Sequence, residues 1–149
     1  MKLTAPSLDH YLNTWPVARL ATINFDGTPH QVPLVFVYCN NRIWSPVDGK
    51  QKSPGILKRI RNAEKNPMAS LLLDHYDDDW QRLWWIRLEV ELQVVRQKEN
   101  QTDQKDAQAA VLALERKYPQ YKTTPVLQRP FTMLTMTILK TSSWCNSNT

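Results

Sequence analysis

The chain has 149 residues, of which 42% are hydrophobic and 22% charged, with a net charge of +5 and a pI near 9.3. That length supports a single domain over residues 1–149 with a real core, and the composition excludes wholesale disorder. The longest apolar runs, PLVFVY and SLLL, are too short to span a bilayer, and MKLTAPSLDHYLNTW lacks the apolar centre of a signal peptide, so a cytoplasmic protein without a membrane partner is expected.

In chain order, Ser7 is the expected cap of a first helix, with Leu8, Tyr11, Leu12 and Trp15 at helical spacing and Pro16 ending it. VARLATINF and TPHQVPLVFVY read as two strands joined at Asp26-Gly27, a two-residue hairpin signal because glycine accepts positive φ. CNNR makes a second turn, since asparagine tolerates the left-handed region, and IWSPV is a third strand. Ser53 followed by Pro54 predicts a helix start. Its apolar stripe is Ile56, Leu57, Ile60 and Ala63, its surface carries Lys58, Arg59, Arg61 and Lys65, and Asn66-Pro67 stops it.

MASLLLDHY is a fourth strand. From Leu83 to Val95 the alternation is the clearest in the chain: Trp84, Ile86, Leu88, Val90, Leu92 and Val94 on one face, and Trp85, Arg87, Glu89, Glu91 and Gln93 on the other. DQKDAQAAVLALERKY predicts a helix with Ala107, Ala110, Val111 and Leu114 along one stripe, and FTMLTMTIL a last strand. The expectation is a mainly β fold: six antiparallel strands with flanking helices, closed into a barrel because closure removes unpaired edges.

SPVDGKQKSP is the stretch with most chemistry in it. Gly49 permits a sharp turn, Lys50 and Lys52 can reach one spot, and the helix expected at Pro54 adds unpaired N–H donors. Together these suit a phosphomonoester. A surface turn followed by a solvated basic helix explains the same residues, because no Walker or Rossmann glycine pattern is present.

ARLATINFDGTPHQVPLVFVY, IWSPVDGKQK, LKRIRNAEKNPMASLLLDHYDDDW and RLWWIRLEVEL together resemble the pyridoxamine 5′-phosphate oxidase-like split-barrel family, over roughly residues 17 to 95. The likeness is to its flavin- or deazaflavin-dependent oxidoreductase branch. It implies a six-stranded antiparallel split barrel and a homodimer with the cofactor at the subunit interface. It assigns Ser45, Lys50 and Lys52 to the cofactor phosphate, and Val32, Pro33 and Val47 to the isoalloxazine. Arg82, Trp84 and Trp85 would come from the second subunit.

The implied cofactor is FMN or the deazaflavin coenzyme F-420, and the implied activity is hydride transfer to or from a small organic substrate. The C-terminal LKTSSWCNSNT lacks the arginine-rich end of the pyridoxal phosphate-forming oxidases, which argues against that reaction. The basic loop also lacks the Ser-Arg-Lys form typical of those oxidases, which leaves the two cofactors open.

Two other readings stand beside this one: a protein that holds a flavin or other planar ligand without turnover, and a basic β-barrel that stacks single-stranded nucleic acid on its tryptophans. The position of Trp84 on the core face disfavours the nucleic-acid reading. Cys39 and Cys145 are lone thiols, and HYDDDW reads better as an acidic loop than as a metal site, so no metal is expected.

Overall fold

The computed structural model describes residues 1–47, 57–96, 101–127 and 132–147, with side chains of the third segment described from residue 104. Strands β1 (Ala18–Ile23), β2 (Pro29–Leu34), β3 (Val37–Cys39), β4 (Arg42–Pro46), β5 (Met68–His75), β6 (Trp84–Arg96) and β7 (Thr132–Cys145) form one antiparallel sheet in the order β2-β1-β5-β6-β7-β4-β3. Helices α1 (Ala5–Thr14), α2 (Lys58–Lys65) and α3 (Gln101–Lys117) flank it.

The expected six-stranded closed barrel is therefore corrected to a seven-stranded open sheet: the ladder ends at β2 on one side and β3 on the other, and these two edges do not pair. The physical reason lies in the edges themselves. Pro29 and Pro33 give β2 two residues with no N–H to donate to a further strand. β3 is three residues long, and Val37 lies under Ala107, Ala110 and Leu114 of α3. The edges are thus blunted by proline and by a covering helix instead of by closure. Only Val35 and Phe36 separate β2 from β3, so the sheet must curl strongly for the chain to pass from one edge to the other.

The same passage explains a second difference. TPHQVPLVFVY is not one strand but two, and its apolar run hides the break because Leu34, Phe36 and Val37 around it are all buried. Leu34 and Phe36 join the inner core with Leu20, Ile43, Leu71, Leu88 and Met136, whereas Val37 joins an outer core beneath α3 with Trp44, Val95 and Met133. Tyr118 fixes the switch. Its hydroxyl accepts from the Phe36 N–H at 3.1 Å and lies 2.9 Å from the Pro16 carbonyl and 3.0 Å from that of Phe36.

The alternation read along β6 holds from Trp84 to Leu92, and β6 pairs with both β5 and β7 at the centre of the sheet. Its register against β7 slips between Glu89 and Val90, leaving one extra residue, Leu139, on β7. Asn40 (φ 54°) and Asn41 (φ 60°) make the expected tight turn between β3 and β4. The β1–β2 loop is longer than a two-residue hairpin. The Gly27 N–H donates to Asn24 O at 2.9 Å, the Asn24 N–H donates to Thr28 O at 2.8 Å, and Gly27 takes φ 85°.

Helix α1 is capped by Thr4, not Ser7: the Thr4 hydroxyl accepts from the Ser7 N–H at 3.3 Å. Helix α2 begins at Lys58, with Leu57 extended before it, so the stripe starts later than read and comprises Ile60, Asn62 and Ala63. The cap expected of Ser53 and Pro54 lies outside the described residues.

Candidate functional site

The residues proposed from sequence fall into two groups. Val32 of the edge strand β2 and Val47, just past β4, are half-buried and both pack on the inner core, while Pro33 is exposed. Ser45 is buried, and its hydroxyl donates to the carbonyl of Val35 at 2.8 Å. Ser45 therefore ties the end of β4 to the β2–β3 switch, two residues past Pro33. The Val47 N–H donates to Thr132 O at 3.1 Å, fixing the last described residue before the basic loop. Lys50 and Lys52 lie outside the described residues.

Asn62 sets the next described element. Its amide donates to Thr22 Oγ1 and to Asn24 Oδ1, each at 3.0 Å, and it is fully buried. A buried amide satisfied in this way pins α2 to β1 and to the hairpin loop that leads into β2.

Arg82, Trp84 and Trp85 lie far from Ser45 along the sheet. Ser45 pairs with Leu134, and Leu134 pairs with Val94, ten positions along β6 from Trp84. At about 3.3 Å per residue the separation is roughly 33 Å along the strand. Pro33 is nearer: it pairs with Arg19, Arg19 with Leu72 and Leu72 with Arg87, which places it three strand spacings, about 14 Å, across the sheet from a residue two positions along β6 from Trp85.

The second group surrounds a cavity of about 550 Å³, lined in part by Tyr11, Trp15, His75, Arg82 and Trp84. Tyr11 and Trp84 stack with centroids 3.8 Å apart, and Trp15 stands at 74° to Trp84 at 4.6 Å. Trp84 is 6% exposed, so it is a cavity wall built into the core. Trp85, half-buried with the Arg87 guanidinium 5.1 Å over its ring, lines a neighbouring hollow of about 330 Å³ with Trp144.

The acidic stretch after β5 is an ordered turn. Asp77 Oδ2 lies 3.2 Å from His75 Nε2 and 3.2 Å from an Arg82 guanidinium nitrogen, and Asp77 Oδ1 accepts from the Asp79 N–H at 2.9 Å. The Asp79 N–H first, then Arg82 and His75, hold the Asp77 carboxyl below the usual carboxylate range. Asp79 in turn accepts from the Gln81 N–H and caps the short turn Trp80–Arg82. Among the described residues no three His, Cys, Asp or Glu side chains could hold a metal ion. No described helix is long and apolar enough to cross a membrane.

Sequence reasoning passed over Tyr11, Trp15, His75 and Asp77 as site residues. The helical spacing of Tyr11 and Trp15 marks a buried face without saying that the face borders a cavity. It also passed over Lys117 and Tyr118. The Lys117 ammonium donates to the Phe36 carbonyl at 2.9 Å and sits 3.7 Å from the Phe36 ring, and burial lowers its pKa from 10.5 to about 7.

No protein-family model and no curated protein sequence matches the chain. Solved structures do. A conserved hypothetical protein from Mycobacterium tuberculosis superimposes with a TM-score of 0.73 at 18% identity, over 97% of this chain and 86% of the other. An FAD-binding protein from Mesorhizobium loti gives 0.69 at 19% identity, over 96% and 95%. A putative pyridoxamine 5′-phosphate oxidase from Listeria innocua gives 0.62 at 14% identity, over 95% and 98%. The resemblance to the pyridoxamine 5′-phosphate oxidase-like proteins therefore holds at the level of the fold.

Proposed function

We propose that the chain is a flavin-type oxidoreductase that binds FMN or the deazaflavin coenzyme F-420 and exchanges a hydride with a small organic substrate. The observation that carries this reading is the position of β2. It is an edge strand, so its outward C=O groups are open to a ligand, with N–H groups wherever Pro29 and Pro33 do not remove them, and half-buried Val32 and Val47 pack on the same core. Backbone donors and acceptors beside apolar side chains fit a fused ring with a polar rim. The likeness in fold to a protein described as FAD-binding supports the same choice of ligand.

On this reading Val32, Pro33 and Val47 orient the ring, Lys50 and Lys52 hold its phosphate, and Ser45, buried with its hydroxyl given to Val35, fixes the strand end that leads to them. Arg82 and Trp85 are supplied by a second copy in a homodimer, with Trp84 buried behind them as support, since roughly 33 Å along the sheet separates them from Ser45 within one chain. The bound ring would supply the redox chemistry, while the protein orients it and excludes water. A flavin held without turnover uses the same residues and is separated by assay: reduction followed by substrate-dependent reoxidation selects the enzyme.

Replacing Lys50 and Lys52 together by Ala tests the phosphate assignment. Each charge-assisted contact contributes about 1.5–3 kcal/mol, so cofactor affinity should fall by at least about tenfold with the fold intact. Unchanged affinity removes both lysines from the site.

A further inference from the structure

We infer that the cavity between α1, the end of β5 and the start of β6 is a binding site for a planar aromatic carboxylate. Its volume of about 550 Å³ falls within the usual range for small-molecule sites. Trp15 stands near-perpendicular both to Trp84 (74°, 4.6 Å) and to His75 (80°, 5.7 Å), and Tyr11 backs Trp84 from 3.8 Å. Trp84 is 6% exposed with one face under Tyr11, so half-buried Tyr11 and Trp15 supply the aromatic surface left to a flat guest.

The polar rim favours a negative charge. Among the described residues no carboxylate lines the cavity, and the two that engage its lining are satisfied: Asp77 by the Asp79 N–H, Arg82 and His75, and Asp79 by the Gln81 N–H. Arg82 meets it through one terminal nitrogen and its side chain is 64% exposed, so the rest of its five-donor fork is available to a ligand. His75 uses Nε2 on Asp77, and Nδ1 makes no hydrogen bond among the described residues. Asp77 thus holds Arg82 and His75 at the mouth of an aromatic box, and Arg82 supplies the donors that an anion needs. Apolar walls with a few convergent polar groups are what fix the orientation of a small ligand.

The inference uses Arg82 and Trp84, which the cofactor reading also uses, so it is tested on protein without flavin. Isothermal titration of the full chain with 2-naphthoate, and with uncharged 2-naphthylmethanol, reads the aromatic and the anionic parts separately. The expected result is saturable binding of 2-naphthoate at one site per chain, weakened about tenfold by Arg82→Gln, with 2-naphthylmethanol weaker and unaffected by that substitution. Retained 2-naphthylmethanol binding also shows that the variant is folded. Imidazole and indole NMR shifts at His75 and Trp15 should move with saturation. No saturable binding, equal affinity for the two compounds, or indifference to Arg82→Gln overturns the inference. Flavin titrated in parallel is a separate readout, and its failure removes the cofactor reading alone.

Discussion

Lys117 makes stability depend on pH in a direction that the structure fixes. Burial lowers its pKa from 10.5 to about 7, so between those values the unfolded chain binds more protons than the folded one. The contribution is complete above pH 10.5 and is lost as the pH falls through about 7. The span from 10.5 to about 7 sets an upper bound of roughly 5 kcal/mol. Three features favour the ammonium and reduce that figure: the Phe36 ring face at 3.7 Å, the bond to the Phe36 carbonyl at 2.9 Å, and the C-terminus of α3.

A gain of about 1–2 kcal/mol between pH 6.5 and pH 9 is expected for the native chain. Lys117→Met keeps the apolar stem and deletes the titration. It leaves the Phe36 carbonyl within 3.0 Å of the Tyr118 hydroxyl. Urea unfolding at both pH values should show that gain shrinking in the variant, with the variant more stable than the native chain at pH 6.5. The Tyr118 phenol, pushed up to about 12 by burial, does not titrate in this window. Identical pH slopes for the two proteins would refute the assignment.

Asn62→Ala should destabilise by about 1–3 kcal/mol, because it strands the buried Thr22 hydroxyl; adding Thr22→Val should recover part of the loss, and strict additivity in urea unfolding would argue against a coupled pair. Gly27→Ala meets no atom within 4 Å, so its cost of about 1 kcal/mol is purely that of φ 85°, and Gly27→Asn should cost less; equal losses for the two would show that something other than φ is at work.

Much of the fold was legible because each β6 side chain from Trp84 to Leu92 meets the environment its alternation announces. Asn40-Asn41 was equally plain, since two adjacent left-handed residues define a tight turn. What stayed hidden was non-local. Within LVFVY the residues Leu34, Phe36 and Val37 are all buried, but in two different cores, so no alternation marked the switch of strands. Its anchor, Tyr118, lies 82 residues away in sequence.

Pro29 and Pro33 mark β2 as an edge, a sign that the strand count passed over, and a count carries no information about which edges meet. Of the proposed cofactor residues, Val32 and Val47 are half-buried against the inner core. The aromatic box escaped because Tyr11 and Trp15 of α1 reach Trp84 only through tertiary packing.

The most direct test of the central claim is a crystal structure of the protein grown with FMN and, separately, with coenzyme F-420. The account predicts one of them seated along β2 with its ring beside Val32 and Val47, its phosphate at the segment following Val47, and Arg82 of a second copy facing it. A cofactor seated elsewhere in the sheet, or no binding of either, contradicts it.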